Sequence, residues 1–148
     1  MSETYIDRSW ADEHYHCEAS FTIPDGVKEI GFEAFLFCTS LTSVTIPESV
    51  TKIGSHAFAG SKSLTSIILP DGVTEIGEYA FCGCTNLTSI VIPDSVTAIG
   101  YSAFNDCNNL TIHCTRGSAA EKYAREHKIP VAYEGQKKTK KQDSMEDV

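Results

Sequence analysis

Cysteine and histidine are the side chains of this 148-residue chain best suited to metal or disulfide chemistry, and it has six cysteines and five histidines. His14, His16 and Cys17 lie close together near the N-terminus, and zinc accepts such ligands. Convincing zinc motifs have two paired halves, and this cluster lacks the second half. We therefore interpret these residues as part of an N-terminal cap and predict no metal site.

Cys38, Cys84 and Cys107 occupy equivalent positions of a sequence repeat, with Ser61 at the fourth position. Buried cysteine packs as a small hydrophobe, and the parallel side chains of a stacked column fit disulfide geometry poorly. We expect buried free thiols in this column, with disulfides as the alternative. Cys82 belongs to a different column, so its spacing from Cys84 is incidental. Free thiols suit a reducing compartment.

The sequence gives no sign of an assembled catalytic site. It contains no glycine-rich phosphate loop, no G-x-S-x-G or H-E-x-x-H motif and no acid–base pair at a typical spacing. We predict a protein without enzymatic activity or a cofactor. The net charge of −8 argues against binding to nucleic acid. No apolar run approaches the ~18–20 residues of a membrane span, and the N-terminus has no secretory signal pattern.

A repeat of 23 residues determines the expected fold, because repeated units bury their apolar side chains only by stacking. Complete repeats run over 41–63, 64–86 and 87–109, and a degenerate repeat spans 18–40. The recurring apolar and glycine positions include Ile23, Ile46, Leu69 and Ile92, then Gly31, Gly54, Gly77 and Gly100, and then Phe35, Phe58, Phe81 and Phe104.

The pattern inside one repeat predicts its elements. Alternation over 44–46 predicts a short strand with one buried face, which ends at Pro47. A second short strand is predicted over 50–53. It ends at Gly54, which we expect to adopt a backbone conformation closed to other residues. A single helical turn is predicted over 55–60.

This pattern, read at 41–58, 64–81 and 87–104, resembles the leucine-rich repeats of the BspA-like type, and the resemblance covers about residues 18–133. It implies a mainly β repeat solenoid, right-handed, whose first strands form one parallel, gently concave sheet. Members of the family commonly occur on bacterial and protist surfaces, where they adhere to host proteins or to other cells. The family often ends in a segment like that at 117–124.

The ends of the chain depart from the repeat. We divide the chain into an N-terminal cap or degenerate repeat (1–17), the leucine-rich-repeat solenoid (18–116), a C-terminal cap of a helix plus a short strand (117–134) and a disordered polar tail (135–148). Ser118 and Glu121 form a capping box pattern. The residues expected on one face of the following helix are Ala120, Tyr123, Ala124 and His127.

Side chains that alternate with the buried strand residues point outward. If Val44 and Ile46 face inward, the outward positions of the first strands form a surface for a protein partner. The candidate partner-binding residues are Ser43, Thr45, Ser66, Ile68, Ser89 and Val91. Ile68 and Val91 form a small apolar contact patch. The alternative is that β-branched residues simply stabilise exposed strands.

Two further surface features have less specific interpretations. The carboxylates of Asp25, Glu48, Asp71 and Asp94 form a ladder that attracts basic partners or divalent ions, or merely keeps the rim solvated. Carbohydrate binding ranks last, because its usual aromatic platforms are represented only by residues in irregular columns. These are Phe32, Tyr79 and Tyr101.

These observations favour a non-enzymatic module for recognition of a protein partner. The alternative is a structural spacer, or a solenoid that associates with a second copy through exposed strand edges. The two lines of evidence on location conflict. The resemblance implies the cell surface, whereas six cysteines and the absent signal favour the interior.

Overall fold

The computed structural model describes residues 4–15 and 18–133, which form a mainly β repeat solenoid. In chain order, its elements are β1 (Tyr5–Ile6), α1 (Arg8–His14), β2 (Ser20–Thr22), β3 (Glu29–Ile30), β4 (Ser43–Thr45), β5 (Lys52–Ile53), β6 (Ser66–Ile68), β7 (Glu75–Ile76), β8 (Ser89–Val91), β9 (Ala98–Ile99), β10 (Thr111–Cys114), α2 (Ala119–Glu126) and β11 (Val131–Tyr133). We call β2, β4, β6, β8, β10 and β11 the first strands, and the remaining strands the second strands.

The second strands form one continuous parallel sheet in the order β1-β3-β5-β7-β9. Glu29 pairs with Lys52, and Lys52 pairs with Glu75, so each residue lies beside its equivalent in the neighbouring repeat. The Lys52 ammonium lies 3.9 Å from a Glu29 carboxylate oxygen and 3.6 Å from a Glu75 carboxylate oxygen. Each exposed ion pair contributes little to stability by itself. Because acidic and basic residues alternate along this row, however, like charges are not stacked on each other.

The first strands are parallel, as predicted, but the prediction that they form one sheet is wrong. One sheet contains β2 and β4, and the other has the order β11-β10-β8-β6. In the other rungs the residue after the strand donates its N–H across the ladder: Ile23 to Thr45 O at 3.0 Å, Leu69 to Val91 O at 3.1 Å and Ile92 to His113 O at 2.9 Å. The equivalent N–H of Ile46 has no backbone acceptor among the described residues. The ladder therefore opens between β4 and β6.

Residues 55–60 form consecutive turns, so the prediction of a helical turn is wrong. Their amides alternate between two kinds of acceptor. Ala57 N–H donates to Gly54 O three positions back at 3.2 Å, whereas Phe58 N–H donates to Ala80 O of the next repeat at 2.7 Å. A helix would direct its amides to carbonyls of its own segment. Here every second amide joins adjacent rungs instead.

The glycine that follows each second strand is required by close contact between rungs. Gly54, Gly77 and Gly100 are not among the glycines with positive φ, so the conformational reason predicted for Gly54 is wrong. A Cβ atom on Gly77 would lie 2.7 Å from Gly54 C and from Ser55 N. Since real Cβ atoms do not approach other atoms so closely, only glycine permits this rung spacing.

A column of phenylalanine rings fills the centre of the solenoid. The rings of Phe35, Phe58, Phe81 and Phe104 stack face to face, with successive centroids 5.2, 5.3 and 5.4 Å apart. Tyr15 packs edge-on against Phe35 at 5.7 Å, and Tyr123 packs in the same way against Phe104 at 5.9 Å. The aromatic column is thus covered at both ends by a tyrosine.

Helix α1 and strand β1 cover the first rung, which is formed by the degenerate repeat 18–40. Asp7 caps the helix by accepting the N–H of Trp10 at 3.2 Å. Trp10 is buried, and its ring lies 6.0 Å from that of Phe21 on β2. Trp10 therefore packs against the solenoid from its N-terminal end.

Helix α2 covers the opposite end. Ser118 Oγ accepts the N–H of Glu121 at 3.1 Å, as the capping box pattern predicts. Ala120 and Ala124 are fully buried, whereas His127, expected on the same face, is exposed and ends the helix.

Glu121 joins α2 to β11. Its carboxylate accepts the Tyr133 hydroxyl at 2.6 Å, the Gly117 N–H at 2.7 Å and an Arg125 N–H at 3.0 Å. These hydrogen bonds lower the pKa of Glu121 to about 2, and the bond from Tyr133 has the largest effect.

The four-part division of the chain stays a prediction, and its segment 135–148 lies outside the described residues.

We expect Gly77→Ala to lower the free energy of unfolding by about 1–3 kcal/mol, because the added methyl group overlaps backbone atoms of the preceding rung. Gly72→Ala is the matched control, since its Cβ would meet Glu48 O and Val50 O at an ordinary 3.5 Å. Its effect should stay within about 0.5 kcal/mol. Urea denaturation followed by circular dichroism measures both. Equal losses would contradict the role assigned to rung contact at Gly77.

Candidate functional site

The six candidate residues lie on the outward side of the first strands, which we call the first-strand face. They are Ser43 and Thr45 on β4, Ser66 and Ile68 on β6, and Ser89 and Val91 on β8. The intervening Val44, Ile67 and Ile90 are buried, which confirms the predicted alternation. Ile68 is 68% exposed, whereas Ser89 and Val91 are half-buried. The role of these residues in binding remains a prediction.

The first-strand face extends beyond the residues that the repeat indicates. On β10, His113 pairs with Val91, and on β11, Ala132 pairs with His113. Both additional residues are half-buried. The repeat pattern does not indicate them because they follow the last complete repeat. The alternation of buried Ile112 and Cys114 with His113 is the signal that indicates this orientation.

The opening between β4 and β6 lies within the first-strand face. It forms a cavity of about 320 Å³ that includes four of the six candidates, Ser43, Thr45, Ser66 and Ile68. Val44 and Ile46 line the cavity and are 9% and 8% exposed, compared with 0% and 1% for the equivalent Ile90 and Ile92. The opening therefore gives limited access to core residues that the other rungs cover.

The predicted carboxylate ladder follows one edge of this face, and we call it the acidic rim. Its members, Asp25, Glu48, Asp71 and Asp94, are all exposed. Thr115 donates its hydroxyl to the Asp94 carboxylate. Glu48 lines the opening between β4 and β6. Within residues 4–15 and 18–133, no cationic side chain forms an ion pair with this rim.

Aromatic residues that looked scattered in the sequence meet on another surface. The ring of Phe32 lies 6.1 Å from that of His56, His56 lies 4.9 Å from Tyr79, and Tyr79 lies 5.6 Å from Tyr101. The row is hard to recognise in the sequence, because Phe32 and Tyr101 occupy one repeat position whereas His56 and Tyr79 occupy the next. His56 and Tyr79 stack face to face, so each covers one face of the other.

The cysteine column forms hydrogen bonds between rungs. The donors and acceptors are Ser61 Oγ to Phe35 O at 2.7 Å, Cys84 Sγ to Phe58 O at 3.1 Å and Cys107 Sγ to Phe81 O at 3.0 Å. Burial is confirmed for Cys84 and Cys107 but is wrong for Cys38, which is half-buried. Desolvation raises the pKa of the Cys84 thiol, and it raises that of Cys107 to about 12. Both thiols therefore stay protonated at neutral pH.

The N-terminal histidine cluster is only partly described. The ring of His14 stacks on that of Trp10 at 4.4 Å, and its Nδ1 lies 2.9 Å from Trp10 O. His16 and Cys17 lie outside the described residues. Over 4–15 and 18–133, no three histidine, cysteine or acidic side chains are grouped to hold a metal ion.

Neither of the helices described in those ranges is long and apolar enough to cross a membrane.

A comparison with protein families matches residues 12–121 to the BspA type leucine rich repeat region, in six copies. A comparison with curated proteins finds no match. Among solved structures, the chain is similar to a leucine-rich repeat protein from Bacteroides ovatus, with 32% identity and a TM-score of 0.66 over 81% of this chain and 38% of the other.

Two other solved structures are similar to this chain. A leucine-rich repeat protein of T. pallidum is 35% identical, with a TM-score of 0.57 over 66% of this chain and 59% of that protein. A leucine rich cell surface protein from Faecalibacterium prausnitzii is 37% identical, with a TM-score of 0.54 over 74% of this chain and 36% of the other. The chain therefore spans less than two thirds of the length of each of these three relatives.

We expect Cys84→Ala to lower the free energy of unfolding by about 1–2 kcal/mol, because it removes a hydrogen bond between rungs and leaves a small cavity. Cys84→Ser is the matched control, because Ser61 makes the equivalent bond one rung earlier. It should cost less than the alanine substitution. Urea denaturation compares the two variants. A serine variant as unstable as the alanine variant would exclude the hydrogen bond as the reason.

Proposed function

Because the chain belongs to the BspA-type leucine-rich-repeat family, we propose that it is a non-enzymatic module that recognises a protein through its first-strand face. The observation that best supports this role is the exposed Ile68 beside Val91, with hydroxyl side chains around them. Protein interfaces have such an arrangement, with an apolar centre and a polar border. The binding residues of the proposal are the six candidates together with His113.

Recognition without a chemical step is consistent with the family and the fold, which are typically non-enzymatic. The first-strand face is a shallow surface built from several rungs, and its affinity comes from many small contacts. Such binding needs no cofactor. Ile68, the exposed large apolar residue of this face, is the first expected to lose contact with solvent on binding.

The proposal includes adhesion to host proteins or to proteins of neighbouring cells. The similarity to a leucine rich cell surface protein supports a surface location. Two of the cysteines, Cys84 and Cys107, do not oppose it, because they are buried and have raised pKa values. Protonated, buried thiols react slowly with oxidants, so they tolerate an oxidising compartment.

Self-association is a second candidate function. Among the described residues, strands β1 and β11 lie at the ends of their sheets, so each pairs there with a strand on one side only. Such edges pair readily with another strand, including that of a second copy. This role would make the chain a spacer or an assembling segment of a larger surface protein.

Capture of proteins from host and cell extracts tests the proposed function. The test variant carries Thr45→Arg, Ile68→Arg and Val91→Arg. The matched control carries Thr74→Arg, Thr97→Arg and Ala98→Arg, which add the same charge at exposed positions beside and on the second strands. Circular dichroism and melting establish that both variants are folded. Partners identified by mass spectrometry are then purified, and their dissociation constants are measured.

We expect the first-strand variant to weaken binding of the purified partner by at least about tenfold, as loss of an interface centre does, and the control to bind normally. Equal binding to both variants would refute the first-strand face as the site. If no protein is captured and light scattering shows a mass that rises with concentration, self-association is the better account.

A further inference from the structure

The opening between β4 and β6 has a donor without an acceptor. In the equivalent rungs Leu69 N–H donates to Val91 O at 3.1 Å, and Ile92 N–H donates to His113 O at 2.9 Å. Ile46 N–H, at the same position of its repeat, has no acceptor among the described residues. Ile46 is only 8% exposed, and a backbone amide that lacks a partner in so enclosed a place is costly. The carbonyl of an incoming peptide would remove this cost.

The cavity itself suits an aliphatic side chain. Its volume is about 320 Å³, and the apolar residues Val44, Ile46 and Ile67 line it. The exposed side chain of Ile68 stands beside it. Burial of an aliphatic side chain here removes apolar surface of both partners from water.

The charged residues that we consider next to the cavity are both acidic. Glu48 lines the cavity, and Asp71 follows it on the acidic rim. In the described part of the chain, neither carboxylate forms an ion pair. Complementary charge steers partners and excludes those of the same sign. A cation placed one or two residues after the aliphatic side chain would meet this rim.

We infer that the opening binds a basic peptide segment of a partner protein, in which an aliphatic residue precedes lysine or arginine. The aliphatic side chain enters the cavity, a backbone carbonyl accepts the Ile46 N–H, and the cations face Glu48 and Asp71. This inference rests on the proposed function and specifies the chemistry of the partner that the first-strand face selects.

The test is an NMR titration of the ¹⁵N-labelled protein with three capped pentapeptides. The probe is acetyl-Gly-Leu-Lys-Lys-Gly-amide. One control, acetyl-Gly-Leu-Glu-Glu-Gly-amide, reverses the charge, and the other, acetyl-Gly-Ser-Lys-Lys-Gly-amide, lacks the aliphatic side chain. We expect the probe to shift the amide signals of Ile46 and Ile68, with an affinity at least about tenfold above either control. Raising the salt concentration should weaken this binding.

The charge reversal Glu48→Lys with Asp71→Lys should make the protein prefer the glutamate peptide. Glu13→Lys with Glu126→Lys is the control, because it changes the net charge equally at exposed positions of the two helices. The spectra report directly whether each variant is folded. If a variant unfolds, the three peptides and the salt dependence of the native protein still decide the inference.

Equal affinity for all three peptides, or shifts confined to another surface, would overturn the inference. Two other occupants would also overturn it. One is a second copy, shown by concentration-dependent shifts of Ile46 without peptide. The other is the chain's own C-terminal tail, which has four lysines within 137–141; peptide binding only after removal of residues 135–148 would show this occupant. If the extracts yield a partner that needs the first-strand face but the peptides fail, the proposed function stands and only the peptide chemistry is wrong.

Discussion

The close stacking of backbone on backbone governs this molecule, because each rung satisfies many of its polar groups only through the next rung. Strand amides, alternate turn amides, threonine hydroxyls and the Cys84 and Cys107 thiols all donate across this spacing. A rung removed from the stack would leave these groups without partners and would expose its phenylalanine. Stability is therefore a property of neighbouring rungs together, as expected for repeat proteins.

This constraint also determines the surface. Every rung repeats the inward and outward positions of the previous one, so outward residues form rows along the solenoid. A partner that binds such a row contacts several rungs. The row from Thr45 through Ile68 to Val91 presents apolar and hydroxyl groups beside the acidic rim. The opening between β4 and β6 interrupts the same surface, so the least regular place in the stack lies within the proposed binding face.

Periodicity predicts the features that every repeat shares. The phenylalanine column, the buried Val44 and the exposed Ile68 follow from position in the repeat, and all are confirmed. Periodicity does not predict differences between identical positions. Ile46 lies between threonine and proline, as Ile23 does, yet its N–H lacks the bond that Ile23 makes. The two end contacts of the aromatic row, Phe32 with His56 and Tyr79 with Tyr101, join different repeat positions. The requirement for Gly77 depends on the backbone of another rung.

Amide hydrogen exchange, followed residue by residue by NMR, tests the opening most directly. The four equivalent amides are Ile23, Ile46, Leu69 and Ile92. Exchange is slow for amides whose hydrogen bonds break only when the structure opens. The account predicts that Ile46 exchanges much faster than the other three, all of which donate across the first-strand ladder. Protection of Ile46 equal to that of Leu69 and Ile92 would show that the ladder is continuous. It would thereby contradict the opening in the proposed binding face.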